Sequence, residues 1–179
     1  MIHHDKSIAI TGHTQGLGKA LQHQFLSNGY NVKGYSRTNG YDINDFNKII
    51  NDAIDTNIFI NNAYDDYAQV SLLYSIFDKW KDQNKLIVNI SSLMTEGIRS
   101  YVHPYTIHKA ALDKTHDQLV ATESKVKLLN IKPGWIDTPR VAKYNNINKI
   151  NPYSLATLIY DLINNDLYLT EIKIMHEID

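Results

Sequence analysis

The chain contains no cysteine, which excludes disulfides and thiolate metal sites and fits a reducing, cytoplasmic setting. No apolar run approaches the roughly 20 residues of a membrane span. The first five residues carry neither the charged nor the apolar region of a signal peptide, so a secreted product is not expected. No charge sign dominates: 18 Lys and Arg stand against 19 Asp and Glu, and no overall field draws the protein to nucleic acid or a membrane surface. His3 and His4 have no companion His, Asp or Glu at ligand spacing, and a metal site is not expected. Repeats, linkers and low-complexity stretches are also missing. What remains, 179 residues with 43% hydrophobic and 21% charged side chains, suits one domain spanning 1–179 with a sizeable core.

Strand and helix signals alternate along the chain. Apolar strands are expected at Ser7–Thr11, Asn31–Tyr35, Asn57–Asn61, Leu86–Ile90, Val126–Ile131 and Tyr168–Met175. Helices are expected at Gly16–Ser27, Asp45–Ile54, Tyr67–Lys81, Tyr105–Thr122 and Ser154–Asn164, the first stopped by Asn28-Gly29. Such alternation predicts an α/β fold: a doubly wound, Rossmann-like parallel sheet covered on both faces, in three layers. The polar stretch Lys143–Asn151 reads as a surface loop.

The first strand runs into Gly12-His13-Thr14-Gln15-Gly16-Leu17-Gly18, where a helix begins. Glycines there let the backbone turn tightly and approach a pyrophosphate, and the helix start offers free N–H groups and a positive dipole end. The spacing is neither that of a P-loop nor Gly-x-Gly-x-x-Gly. At the end of the second strand an NAD site usually carries an acid for the ribose hydroxyls. This chain reads Ser36-Arg37 instead; the guanidinium can grip a 2′-phosphate bidentately and the serine can add a hydroxyl. NADP(H) is therefore the expected cofactor.

Tyr105 and Lys109 are four residues apart and share one helix face. Ser92 follows the apolar run 86–90, where a strand end aims its hydroxyl at the next helix. A phenol beside an ammonium, with a second hydroxyl nearby, can move a proton on and off a carbonyl oxygen. A nearby cation favours the phenolate, so Lys109 is expected to lower the Tyr105 pKa. His108 reads as a solvated helix residue. His103-Pro104 sets the helix entry.

These residues resemble the short-chain dehydrogenase/reductase family. The motifs, in order, are Thr-Gly-x-x-x-Gly-x-Gly at Thr11–Gly18, Asn-Asn-Ala at Asn61–Ala63, Ser92 with Tyr105 and Lys109, and Pro-Gly-x-x-x-Thr at Pro133–Thr138. The resemblance covers residues 7 to about 140. It implies that Gly12, Thr14, Gln15, Gly16, Leu17 and Gly18 form the pyrophosphate turn. Asp42 resembles the acid that binds the adenine amine. Asn61-Asn62-Ala63 would pass beside the adenosine ribose and brace the central sheet, with Asn62 and Ala63 as the cofactor-binding positions. Pro133, Gly134, Ile136 and Thr138 would hold the nicotinamide carboxamide, and Lys109 the nicotinamide ribose, with Tyr105 beside it.

The chain departs from the family in three places. It is shortened after the second strand, so that one crossover helix is missing and Gly40–Ile43 is expected to survive as a stub of a strand. Tyr64 stands where the family has glycine, and is expected to narrow the cleft or line the substrate pocket with Met94, Trp135 and Tyr144. The stretch from Ala63 to Ser92 is short, and Gln69 is the candidate for the fourth catalytic position, which in the family holds a relay water.

The implied activity is hydride transfer between the nicotinamide of NADP(H) and a small carbonyl or alcohol substrate. A non-catalytic NADP(H)-binding sensor or scaffold is the alternative. A nucleotide-sugar reductase or epimerase ranks third, because the chain looks short for the usual substrate domain. Matching helices pair between subunits in the family, so a homodimer or homotetramer is expected.

Overall fold

The computed structural model describes residues 6–98 and 100–176; His3 and His4 lie outside the described residues. The strands are Ser7–Thr11 (β1), Asn31–Tyr35 (β2), Ile58–Asn61 (β3), Leu86–Ile90 (β4), Lys127–Pro133 (β5) and Glu171–Ile174 (β6). The helices are Gly16–Ser27 (α1), Phe46–Ala53 (α2), Ala68–Trp80 (α3), Pro104–Val120 (α4) and Pro152–Ile163 (α5). All strand pairs are parallel, in the order β2-β1-β3-β4-β5-β6.

Both faces of the sheet are covered, as continuous apolar strands require. Ile8 and Ile10 of β1 pack with Leu17, Leu21 and Phe25 of α1 and with Leu155 and Ile159 of α5. Ala9 points to the opposite core, with Ile49 of α2, Leu72 and Trp80 of α3 and Leu112 of α4. The chain passes from β1 to β2 over one face and returns over the other to β3. The strand order thus reverses beside β1, and the carboxyl ends of β1 and β3 open a crevice.

Two expectations are corrected. Gly40–Ile43 is not a strand. Gly40 takes a left-handed conformation (φ 83°) after a 3₁₀ turn at Arg37–Asn39, and the Asn39 amide donates to Gly34 O at 2.8 Å. Tyr41 packs edge-on against Tyr35. The connection folds onto β2 instead of extending beside it, which leaves β2 as the sheet edge. Second, α5 begins at Pro152, two residues before the expected Ser154. The Asn151 side chain accepts from Tyr153 N and Ser154 N, with proline in the first turn. Asn-Pro is itself a helix-start signal.

Candidate active site

The β1–α1 loop is built for close backbone approach. Gly12 has φ 70°, a region L side chains rarely adopt. At Gly18 a Cβ would lie 2.0 Å from Gly12 O, so any side chain would push the first turn of α1 off the loop. No side chain caps the start of α1, which leaves its first N–H groups available to an anion. Thr11 fastens the neighbouring segment: its hydroxyl accepts from Asn62 N and Ala63 N, each at 2.9 Å. The Asn62 amide donates back to Thr11 O. Asn61 is fully buried and donates to Asn89 Oδ1 and Gln69 O.

A cleft of about 1360 Å³ opens over these strand ends. The structure brings to it the whole glycine turn, Ser36 and Arg37, Asp42, Asn62-Ala63, and the assigned residues of the Pro133–Thr138 stretch. Ser36 initiates the Arg37 turn, with its hydroxyl on Thr38 and Asn39. Asp42 accepts from Asn44 N and Nδ2, which holds its carboxyl below the usual range. An exposed Arg37 at one end, an uncapped helix start in the middle and a proton-active cluster at the other end match the shape of a dinucleotide site.

Ser92, Tyr105 and Lys109 meet at the far end. Ser92 begins a 3₁₀ turn after β4, its Oγ accepting from Met94 N. Pro104 opens α4, placing Tyr105 in its first turn. Burial pushes the Tyr105 phenol above its ordinary pKa, while its hydrogen bond with Ser92 and the charge of Arg140 pull it down. Contrary to expectation, Lys109 is not among the groups that shift the phenol, although its Nζ stands over the Tyr105 ring, 5.7 Å from the centroid, and 5.6 Å from that of Tyr64. Its Nζ donates to Gln69 Oε1 at 2.7 Å and Ile90 O at 2.6 Å. Burial, aided by Arg140, pulls the lysine down to about 7.

Gln69 does not reach the cleft. It is 2% exposed, and its Nε2 donates to Asn61 O and Ile90 O while its Oε1 takes Lys109. With these groups engaged, the amide fixes where the Lys109 ammonium sits and does not line the cleft.

Tyr64 lines the cleft with Met94, Trp135 and Tyr144. Its ring stands edge-on to Tyr105 with centroids 4.8 Å apart, and its hydroxyl is 2.9 Å from His108 Nδ1. His108 is not solvated as expected: its side chain is 11% exposed, and it packs against Tyr67 and lies 3.5 Å from Asp66. Asp66 has a positive φ of 42°. Sequence reasoning missed Arg140, whose guanidinium sits over the rings of Tyr64 (4.7 Å) and Tyr105 (5.5 Å). Its place two residues beyond Thr138, just past the last motif, was the available signal.

No protein-family model and no curated protein matches the chain. Solved structures do. A short chain dehydrogenase from Burkholderia cenocepacia in complex with NADP aligns at TM-score 0.78 and 18% identity, covering 94% of this chain and 88% of that one. A 4-hydroxyisoleucine dehydrogenase complexed with NADH aligns at 0.79 and 18%, covering 97% of each. A 3-ketoacyl-(acyl-carrier-protein) reductase from Brucella melitensis complexed with NADH aligns at 0.77 and 16%, covering 95% of this chain and 96% of that one. The fold is therefore the Rossmann-like fold of short-chain dehydrogenases and reductases. No helix among the described residues is long and apolar enough to cross a membrane, and none of their His, Asp and Glu clusters could hold a metal.

Proposed function

We propose that this protein is an NADP(H)-dependent oxidoreductase acting on a small carbonyl or alcohol substrate. The observation that carries the reading is the convergence of Ser92, Tyr105 and Lys109 at one end of a cleft whose other end holds the glycine turn and Arg37. The site fits the cofactor. The side-chain-free wall at Gly12 and Gly18 and the uncapped start of α1 suit a pyrophosphate, and Arg37 with Ser36 suits a 2′-phosphate. Asp42, Asn62 and Ala63 would meet the adenosine, and Pro133, Gly134, Ile136 and Thr138 the carboxamide.

When bound, the nicotinamide supplies or accepts the hydride. The protein supplies the proton. The Tyr105 phenol gives it to the carbonyl oxygen in reduction and takes it from the alcohol in oxidation. Ser92 donates a hydrogen bond to the same oxygen and stabilises charge developing there. Lys109 supplies a cation beside the Tyr105 ring, in an orientation set by Gln69 and Ile90 O. The exposed Tyr74 of α3 and Ile107 of α4 suit self-association; a monomeric mass by light scattering at micromolar concentration would remove that part of the proposal.

The test is a titration of the purified protein with NADPH and NADH, read by nicotinamide fluorescence. NADPH should bind more tightly. Arg37→Ala should weaken NADPH roughly tenfold to a hundredfold, the worth of a charge-assisted bidentate contact, and barely change NADH. Equal losses for both would remove the 2′-phosphate assignment. Tight binding without turnover of any aldehyde or ketone would favour a sensor or scaffold. No binding of either cofactor would end the enzyme reading.

A further inference from the structure

The reacting end of the cleft carries a cation whose charge acts on the phenol but whose N–H donors the proton chemistry leaves unused. Arg140 is exposed, lines the cleft and has no carboxylate partner among the described residues. It is held by two aromatic faces, Tyr64 and Tyr105. A guanidinium parked over a ring keeps its edge N–H donors free, in the fork geometry that matches a carboxylate. Lys143, three residues on, lines the same cleft.

The cleft lining also holds acids. Among the described residues they are Asp42, which feels the Arg37 charge, and Asp65, which shares Asn44 with it as a hydrogen-bond partner. Neither acid pairs with Arg140: Asp65 follows Tyr64 and acts on its phenol from a distance, while Arg140 stands over the Tyr105 ring with no salt bridge among the described residues. Tyr64 is what makes the platform, since a glycine at that position would leave Arg140 without one of its two rings.

We infer that the substrate carries a carboxylate a few bonds from its reacting carbonyl, a short oxo acid in reduction or hydroxy acid in oxidation, and that Arg140 clamps this carboxylate. This deepens the reductase proposal and rests on its placement of the substrate carbonyl at Tyr105. The 5.5 Å between the guanidinium carbon and the Tyr105 ring sets the reach. An acid group separated from the carbonyl by a long chain would overshoot Arg140.

The test has a binding arm and a turnover arm. In the first, short 2-oxo and 3-oxo acids and their methyl esters are titrated into the NADP⁺-loaded protein, which cannot reduce them, and binding is followed by calorimetry. The acids should bind at least about tenfold more tightly than the esters, and Arg140→Gln should bring the two together, with Arg140→Lys restoring part of the preference. In the second arm, NADPH consumption is followed with the same pairs. Arg140→Gln lowers kcat for both, because it also strips charge from beside the phenol, so the quantity read is the acid-to-ester ratio of kcat/KM, which should collapse toward one.

Acid binding without turnover would keep the Arg140 clamp and sink the reductase reading. Turnover with an acid-to-ester ratio near one in the wild type would keep the reductase and overturn the clamp. A higher NADPH Kd in Arg140→Gln with the acid preference intact would overturn it too, by making Arg140 a cofactor-phosphate ligand. Failure of any acid to bind the loaded wild type would likewise overturn it.

Discussion

Tyr105→Phe is expected to lower turnover by about 10³-fold, within the range for losing a positioned acid–base group, and to leave NADPH affinity within about twofold by the same logic that separates binding from proton transfer. The substitution removes one oxygen and keeps the ring, so the edge-on contact with Tyr64 and the seat for Arg140 survive. Tyr64→Phe is the matched control. Its hydroxyl is engaged with His108, and its loss should cost far less turnover. The direction of the Tyr105 shift adds a pH signature. A phenol whose pKa burial raises is protonated at neutral pH, ready to give its proton. Reduction should hold steady through neutrality and fall only in alkali, while oxidation, which needs the phenolate, should climb as the pH rises. Retained turnover in Tyr105→Phe, or an oxidation rate flat in pH, would remove Tyr105 from the mechanism.

Much of this site was legible in the sequence because each part has a local cause. Gly12 and Gly18 announce a backbone that must come close to itself, and the structure shows that contact at Gly12 O. Tyr105 and Lys109 share a face because helices repeat that way. The alternation of apolar strands and helices carried the sheet, including which segments lie in it.

Three of the misreadings are matters of where a side chain ends. Helical spacing puts Lys109 beside Tyr105, yet spacing cannot say that the Gln69 amide and Ile90 O are the polar partners within reach of its Nζ. Those partners come from α3 and β4, and only folding brings them beneath α4. His108 looks solvated on its own helix and becomes mostly buried because Tyr64 and Tyr67, more than forty residues earlier, close over it. Arg140 follows the last motif residue, and its value depends on two rings from separate segments. Gly40–Ile43 failed as a strand for a nearer reason: the Asn39 amide satisfies Gly34 O locally, and the left-handed Gly40 turns the chain before pairing can begin.

Lys132→Met is expected to destabilise the fold by about 3 kcal/mol, the low end for breaking a buried ion pair. Lys132, with a side chain 7% exposed, lies at the carboxyl end of β5 among Glu96, Asp113 at 3.0 Å and Glu171 at 3.6 Å. Each acid belongs to a different element: the turn after Ser92, the helix of Tyr105, and β6. Asp113, 13% exposed, is the charge the substitution would strand. It keeps hydrogen bonds from Ser91 and Asn130, and Glu96 and Glu171 are about a third exposed and can rehydrate, which is why the loss sits at the low end. Lys173→Met is the comparison, since that half-exposed lysine shares Glu96 and Glu171; it should cost under about 1 kcal/mol, as surface pairs do. The network also fixes an acid limit. Hydrogen bonds from Lys132 and Lys173 lower the Glu96 pKa, so their stabilisation is complete above the ordinary glutamate value of 4.5 and is lost as pH falls through the folded-state value below it. Urea midpoints across pH would show the wild type losing stability on that limb and Lys132→Met losing less. Because the same lysine couples the Ser92 turn to the Tyr105 helix, its loss should loosen the proton site more than the glycine turn on the other side of the sheet. Turnover should therefore drop further than NADPH affinity in protein that is still folded. Equal urea midpoints for wild type and Lys132→Met would mean the buried ammonium costs as much to desolvate as its three acids return.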